Sequence, residues 1–375
     1  MDHLSSIASE RGQLWLRLAM LRGVGPMLGR RLVTELGGID QIWSMDATRL
    51  KSVDGVGPKL LAVLAGGHAV NIDPVLCECE ARGIRLLCPD DESWPAMLYG
   101  IDDAPLVLFV QGDITALNTA KPIAMVGARR ASREGQVISR SWSRYFSDQG
   151  MTVISGMAYG IDAAAHGGAL SGSSPTIAVL GCGLAGTTEE QQLQVAAICR
   201  QGCVVSEFLP DVSARPEYFP RRNRIIAALA RATLVMEADV RSGSMITARQ
   251  ALEYGRELFA VPGSVLLRNH DGCHQLIRDG ATLISKPAQL LQHMNWEGGG
   301  RISAAGKKTY APANALEAKV MAALGSQSMH LDTLCETCGL TLPELSPILL
   351  ALELQDVIKR LPGNRYILSV ELSES

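Results

Sequence analysis

Between residues 219 and 229 the chain reads FPRRNRIIAAL: an aromatic ring and three guanidiniums, Arg221, Arg222 and Arg224, crowded at the start of a run that has to be buried. Arginine grips phosphate or carboxylate with two parallel N–H bonds, and an aromatic ring beside it can stack on an unpaired base. Arg129, Arg130 and Arg133 follow the apolar stretch PIAMV, and Arg241 follows LVMEA. A free nucleotide needs one or two cationic contacts, whereas guanidiniums repeated along one edge suit a polymer of phosphates. Single-stranded nucleic acid, with Phe219 stacking on a base, is the ligand these residue types describe. The competing reading is internal: Phe219 packs under a sheet edge, and some of the arginines pair with Glu207, Glu217 or Glu237.

Other chemistries are less well supplied. Gly181 to Gly186, GCGLAG, is a literal GxGxxG after an apolar stretch. It sits on the third strand of its region rather than the first, and Glu189 and Glu190 follow where a pyrophosphate would lie, so a dinucleotide cofactor is not expected. Asp162, His166, Glu207, Glu237, Asp239, His270 and His274 could move protons, but no nucleophile and base are paired by spacing, and Ser155 lacks a nucleophile elbow. Asp162 and His166, four apart, read as a helix-stabilising pair. The nine cysteines are scattered, and Cys335 and Cys338 form a CxxC without a second half, so no metal site is expected. The residues therefore describe binding without a catalytic group, a cofactor or a metal.

Positioning such a rim requires a sheet. From residue 122 short apolar stretches alternate with helical ones, which means an α/β domain with a Rossmann-like, doubly wound, mostly parallel sheet. Ligands bind such sheets at the carboxyl ends of the strands. Small residues fall there: Gly127, Ser155 and Gly156, Gly181 and Gly183, Ser242, Gly243 and Ser244, and Gly263. The chain as a whole carries a net charge of -3, yet residues 121 to 290 hold 18 Lys and Arg against 14 Asp and Glu, which matches an anionic partner for this part.

The expected domains are a helical one over residues 1–85, the Rossmann-like domain over 86–290 with its core at 121–286, a polar linker over 291–313 and a winged helix over 314–375. GVGP before a helical run occurs twice, at Gly23 to Pro26 and Gly55 to Pro58, as in helix-hairpin-helix and sterile-alpha-motif-like bundles. The segment is acidic, so a small structural or interaction bundle is expected there rather than a phosphate site. TLPELSPILLALEL, which would be the groove-entering helix of the winged helix, has no Lys or Arg, pointing to protein binding or dimer support. No stretch has the length and apolarity of a membrane span, and a cytoplasmic location is expected.

In order along the chain, MVGARRAS, ISGMAYGIDAAAHGGAL, TIAVLGCGL, VVSEF, FPRRNRIIAALA, LVMEADVRSGSMITARQALEYGRELFAVPG and GCHQLIRDGATLI resemble the DNA-processing protein A family (DprA, also called Smf). The resemblance implies a non-enzymatic protein that binds single-stranded DNA, forms a homodimer and helps load the recombinase RecA in natural transformation, with single-stranded DNA-binding protein a further candidate partner. It places DNA contacts on Gly127 and Arg129, on Ser155, Gly156 and Gly160, on Phe219, Arg222, Asn223 and Arg224, and on Ser242, Gly243 and Ser244, and charge alone adds Arg221 to them. One loop departs from the family. Where an acid or amide and then a proline are usual, this chain has GCGLAGTTEEQQ, with Ala185 in the acid position and two carboxylates that would repel phosphate. The rival reading is a nucleotide-binding or nucleotide-hydrolysing protein on a related sheet, although no PGGxGT-type loop is present.

Overall fold

PIAMV, TVIS, TIAV, CVVS and ATLV are apolar without alternation, which a strand sustains only when both its faces are covered. In the computed structural model they are β3 (Pro122–Val126), β4 (Thr152–Ser155), β5 (Thr176–Val179), β6 (Cys203–Ser206) and β7 (Ala232–Val235), and each of their residues is buried. The structure describes residues 7–296, 309–310, 312, 314–324, 329–354, 357–361, 365–368 and 371–372. With β1 (Arg85–Leu87), β2 (Leu108–Gly112), β8 (Glu257–Ala260) and β9 (Thr282–Leu283) these strands form one sheet in the order β1-β2-β6-β5-β4-β3-β7-β8-β9. Strands β3 to β9 are parallel to their neighbours, and β1 and β2 join antiparallel beyond β6.

Side chains on β3 alternate between two cores. Ile123 and Met125 meet Phe146, Ile161 and Ala165 of α7 (Arg133–Asp148) and α8 (Ile161–Ala169). Ala124 and Val126 meet the cluster holding Ile226, Met245 and Leu276 of α10 (Tyr218–Leu229), α11 (Ser244–Glu253) and α12 (Asp271–Arg278). The sheet is thus doubly wound. From β3 the chain winds outward through β4, β5 and β6, then α10 carries it back so that β7 pairs with the other side of β3. The connections after β3 and β7 leave in opposite directions, and the carboxyl ends of those strands flank a crevice.

By packing, the chain divides into two units, Met1–Gly299 and Gly300–Ser375. Within the first, residue 85 does not interrupt the core: Trp15 and Leu18 of α1 (Glu10–Met20) and Leu32 of α2 (Pro26–Leu36) share a cluster with Phe109, Leu180 and Val204 of the sheet. Helices α3 (Ile39–Ile42), α4 (Ala47–Lys51), α5 (Pro58–Ala65) and α6 (Asp73–Arg82) lead on to β1, and α13 (Pro287–His293) follows β9. The first GVGP turn delivers α2 flat against the sheet edge, since a Cβ on Gly29 would lie 2.5 Å from Leu106 Cδ1, and Arg30 Nε donates to the Ala104 carbonyl at 3.0 Å. In the second unit α14 (Ala315–Leu324), α15 (Leu331–Cys338) and α16 (Leu342–Leu354) accompany a three-stranded antiparallel sheet ordered β11-β13-β12, made of β11 (Met329–His330), β13 (Arg365–Leu368) and β12 (Ile358–Leu361), and β10 (Thr309–Tyr310) pairs with β14 (Glu371–Leu372). That is the winged-helix pattern, with Val320, Leu334, Leu345, Leu352 and Tyr366 at its centre. By residue type the PGN at 362–364 suits a hairpin turn, and it lies outside the described residues.

Gly160, ahead of α8, shows how closely the strand-end loops approach. Its φ of 80° lies in the left-handed region, and a Cβ there would sit 2.4 Å from the carbonyl oxygen of Ala128 and 2.5 Å from that of Arg129. Gly160→Ala is therefore expected to lower stability by about 2 kcal/mol or more. Urea denaturation measures it, and an unshifted midpoint would show that the loops after β3 and β4 do not meet at this glycine.

Candidate nucleic-acid interface

Helix α10 starts over the carboxyl ends of the central strands. Pro220 suits its first turn, and Ile225 to Leu229 are buried between the sheet and α11. This places Arg222, only 3% exposed, against the strand ends themselves. Its Nη1 donates to the carbonyls of both Gly156, after β4, and Val179, the last residue of β5. A Cβ on Gly156 would fall 2.4 Å from that nitrogen, so the glycine exists to admit a guanidinium of the protein itself. Burial pulls the Arg222 pKa down to about 10, opposed by the Asp162 carboxylate and reinforced by the charge of Arg129.

Asp162 is the counter-charge. Its Oδ2 accepts from the N–H groups of Gly156 at 3.2 Å and Ala158 at 3.4 Å. Burial pushes its pKa up, while Arg222 and these hydrogen bonds pull it down. The expected pairing of Asp162 with His166 does not form. His166 Nδ1 instead meets the Thr176 hydroxyl at 2.9 Å, and burial, with Arg222 nearby, lowers its pKa to about 4, so the imidazole is neutral.

The rest of FPRRNR is divided between scaffold and surface. Arg224 is buried and bonds Glu207 and the Asp103 carbonyl, and Arg221, half exposed, pairs with the same Glu207 at 3.0 Å. Both therefore depart from the expectation of free phosphate contacts: the buried Glu207 carboxylate draws them inward, as the internal reading of the motif had it. Asn223 bridges, accepting from Arg222 Nε at 3.2 Å and donating to the Gly243 carbonyl at 3.2 Å, which ties α10 to the start of α11. Phe219 carries the Arg129 guanidinium over its ring, 4.4 Å from the centroid. Guanidinium on aromatic face is a cation–π contact, and it leaves the donor edge of Arg129 available.

Between these groups lies an open cavity of about 660 Å³ at the switch point of the sheet. Gly127, Arg129, Phe219, Arg222, Asn223, Ser242, Gly243 and Ser244 line it, so most of the residues singled out in the sequence converge there. Gly156, Gly160, Arg221 and Arg224 stand outside it. Ser155 also does: it is fully buried and its hydroxyl donates to the Met125 carbonyl at 2.7 Å. Arg130, named in the sequence with the guanidiniums of the rim, also lines the cavity; Thr247 and Asn269 were missed, since their types and spacing carry no signal of their own. Asn269 Oδ1 is buried without a partner among the described residues.

The helix ends around the cavity are not equivalent. At α7 the Glu237 carboxylate accepts from the Ser132 N–H at 2.9 Å and hydroxyl at 2.6 Å, and the Ser132 hydroxyl caps Gly135, so the protein's own acid already occupies that positive end. At α11 the cap residue is Gly243, which has no side chain; the neighbouring Ser242 hydroxyl accepts from the Ser244 N–H at 3.4 Å, no carboxylate accepts there among the described residues, and this end lines the cavity. Three guanidiniums (Arg129, Arg130 and buried Arg222) and this helix end face two carboxylates, Asp239 and the engaged Asp162. Such an arrangement receives an anion beside an aromatic face.

Residues 85–295 match the family model described as DNA recombination-mediator protein A, and residues 304–364 the DprA winged helix domain. Protein Smf of Escherichia coli (strain K12) is 37% identical over 299 residues, covering 78% of this chain and 80% of that protein. The X-ray structure of DNA processing protein A from Streptococcus pneumoniae superposes with a TM-score of 0.66 at 31% identity, over 76% of this chain and 98% of that one. DNA processing protein A from Helicobacter pylori, solved for its single-stranded DNA binding mode, gives 0.50 at 27% identity, over 56% and 95%.

Removing the brace separates structure from binding. Arg222→Ala leaves Asp162 buried and uncompensated and two carbonyls without their donor, and is expected to cost about 3 kcal/mol or more in stability. Adding Asp162→Asn should recover part of that loss in urea denaturation. Strictly additive losses would mean the two groups do not hold each other.

Proposed function

Because the chain belongs to the DNA recombination-mediator protein A family, we propose that it binds single-stranded DNA in the crevice between β3 and β7 and mediates recombination without a catalytic step. It protects incoming strands and helps load RecA, as in natural transformation. The observation that carries this is the exposed Arg129 guanidinium stacked on Phe219 beside the open N-terminus of α11. Phosphates meet Arg129, Arg130 and the Gly243 N–H at the start of α11, while Phe219 or the guanidinium plane upon it stacks on a base. Arg222, Asn223, Gly156 and Gly160 act one step back, fixing the loops that carry those contacts. The single-stranded DNA binding mode described for the Helicobacter pylori relative supports the choice of ligand.

The protein works in the cytoplasm as a homodimer, with RecA and single-stranded DNA-binding protein as partners. The described residues include no helix long and apolar enough to cross a membrane. The three functional parts are residues 1–85, 86–290 and, after the linker 291–313, 314–375. Exposed Glu344, Ser346 and Glu353 on α16 support protein contact rather than groove reading by the winged helix.

Fluorescence anisotropy with single-stranded and duplex oligonucleotides of equal length at two salt concentrations tests the assignment. Tight, salt-sensitive binding that prefers the single strand is expected. Arg129→Ala, at an exposed position, should leave stability within about 0.5 kcal/mol, weaken binding for every sequence and reduce the salt slope by about 0.7 per lost phosphate contact. No strand preference, or stoichiometric displacement by a mononucleotide, would support the small-ligand reading instead.

A further inference from the structure

A second cavity, of about 130 Å³, shares Phe219 and Arg129 with the first and opens between the loops after β4 and β5. Its inner wall is apolar: Met157, Leu180 and Cys182 are all buried. Met157 is held in the left-handed region at φ 54°, a conformation that costs a non-glycine residue free energy and recurs at ligand-holding turns. At the mouth stand Tyr159, 68% exposed, and Glu190, in the first turn of α9 (Glu189–Cys199). The Tyr159 hydroxyl donates to Glu190 Oε2 at 3.3 Å, and no ion pair engages Glu190 among the described residues. This is the loop that departs from its family, with carboxylates where phosphate would be repelled.

A carboxylate at the edge of an apolar, aromatic-walled slot is badly placed for a phosphate and well placed for the hydrogen-bonding edge of a base. Guanine offers N1–H and N2–H side by side, matching the two oxygens of one carboxylate. Thymine offers one N–H between two carbonyls, which the carboxylate repels. Adenine and cytosine offer one amino group next to a ring acceptor. We propose that this cavity takes a guanine base of the bound strand, with Phe219 and the apolar wall against the ring and Glu190 on its Watson–Crick edge. Phosphates stay in the larger cavity, and Arg129, lining both, marks where backbone and base part. The inference rests on the single-stranded DNA reading above and adds base preference to it.

The test is anisotropy with the full chain and three single strands of about 20 nucleotides: oligo-thymidylate, the same strand with every fourth residue changed to dG, and that strand with inosine in place of dG, which lacks only the N2 amino group. The dG strand is expected to bind about fivefold or more tighter than oligo-thymidylate, with inosine between them. In Glu190→Gln the dG to thymidine ratio should collapse to about one. Equal affinities in the unaltered protein, inosine as tight as guanine, or a ratio retained in Glu190→Gln would each overturn the proposal. If oligo-thymidylate binds and dG brings no gain, base reading alone fails; if none of the strands binds, the single-stranded DNA reading fails with it.

Discussion

One buried guanidinium sets the form of the site. Parallel strands end in carbonyls that the sheet itself cannot satisfy, and at a switch point the loops diverge and expose them. Arg222 reaches down from α10 and closes the ends of β4 and β5 at once, through Gly156 and Val179. A buried charge requires compensation, which Asp162 supplies from the first turn of α8 while holding the Gly156 and Ala158 amides. Strand ends, loop and two helices are thereby fixed relative to one another before any ligand arrives.

From that brace a division of labour follows. Arg224 and Arg221 converge on Glu207, Asn223 fastens the α11 entry, and Glu237 closes α7. Among the described groups that line the cavity, these interior bonds leave Arg129 on Phe219, Arg130 beside it, and the Gly243 end of α11 facing outward. A flexible polyanion binds best to donors that do not have to be ordered on contact, because ordering entropy is then already met by folding. Arg222 and Arg224, both buried, hold the walls of the cavity in place through bonds within the protein.

Most of the architecture was legible in the sequence because period and composition are local signals. Unbroken apolar stretches such as PIAMV forced a two-sided parallel sheet, and the alternating helices forced double winding. The family resemblance located the same crevice, and residues 127, 129, 219 and 242 to 244 do line one cavity. The roles inside FPRRNR were not legible. Three arginines of one type differ only in which way α10 turns them, and helical rotation sends Arg222 inward to the Gly156 and Val179 carbonyls, Arg224 to Glu207 and Arg221 to the rim. Ser155 misled for a related reason, since a small polar residue at a strand end serves a ligand or a neighbouring carbonyl equally well, and here it serves Met125. Asn269 carried no pattern and comes to the cavity only through the loop after β8.

Photo-cross-linking of a bound single strand, followed by mass spectrometric mapping of the adducts, reaches the central claim most directly. Adducts on Phe219 and on the peptide carrying Arg129 and Arg130 are the expected result, because the brace leaves these groups facing the strand. Adducts confined to the GVGP turns or to residues 314–375, with none at Phe219, would contradict the account and place the strand elsewhere.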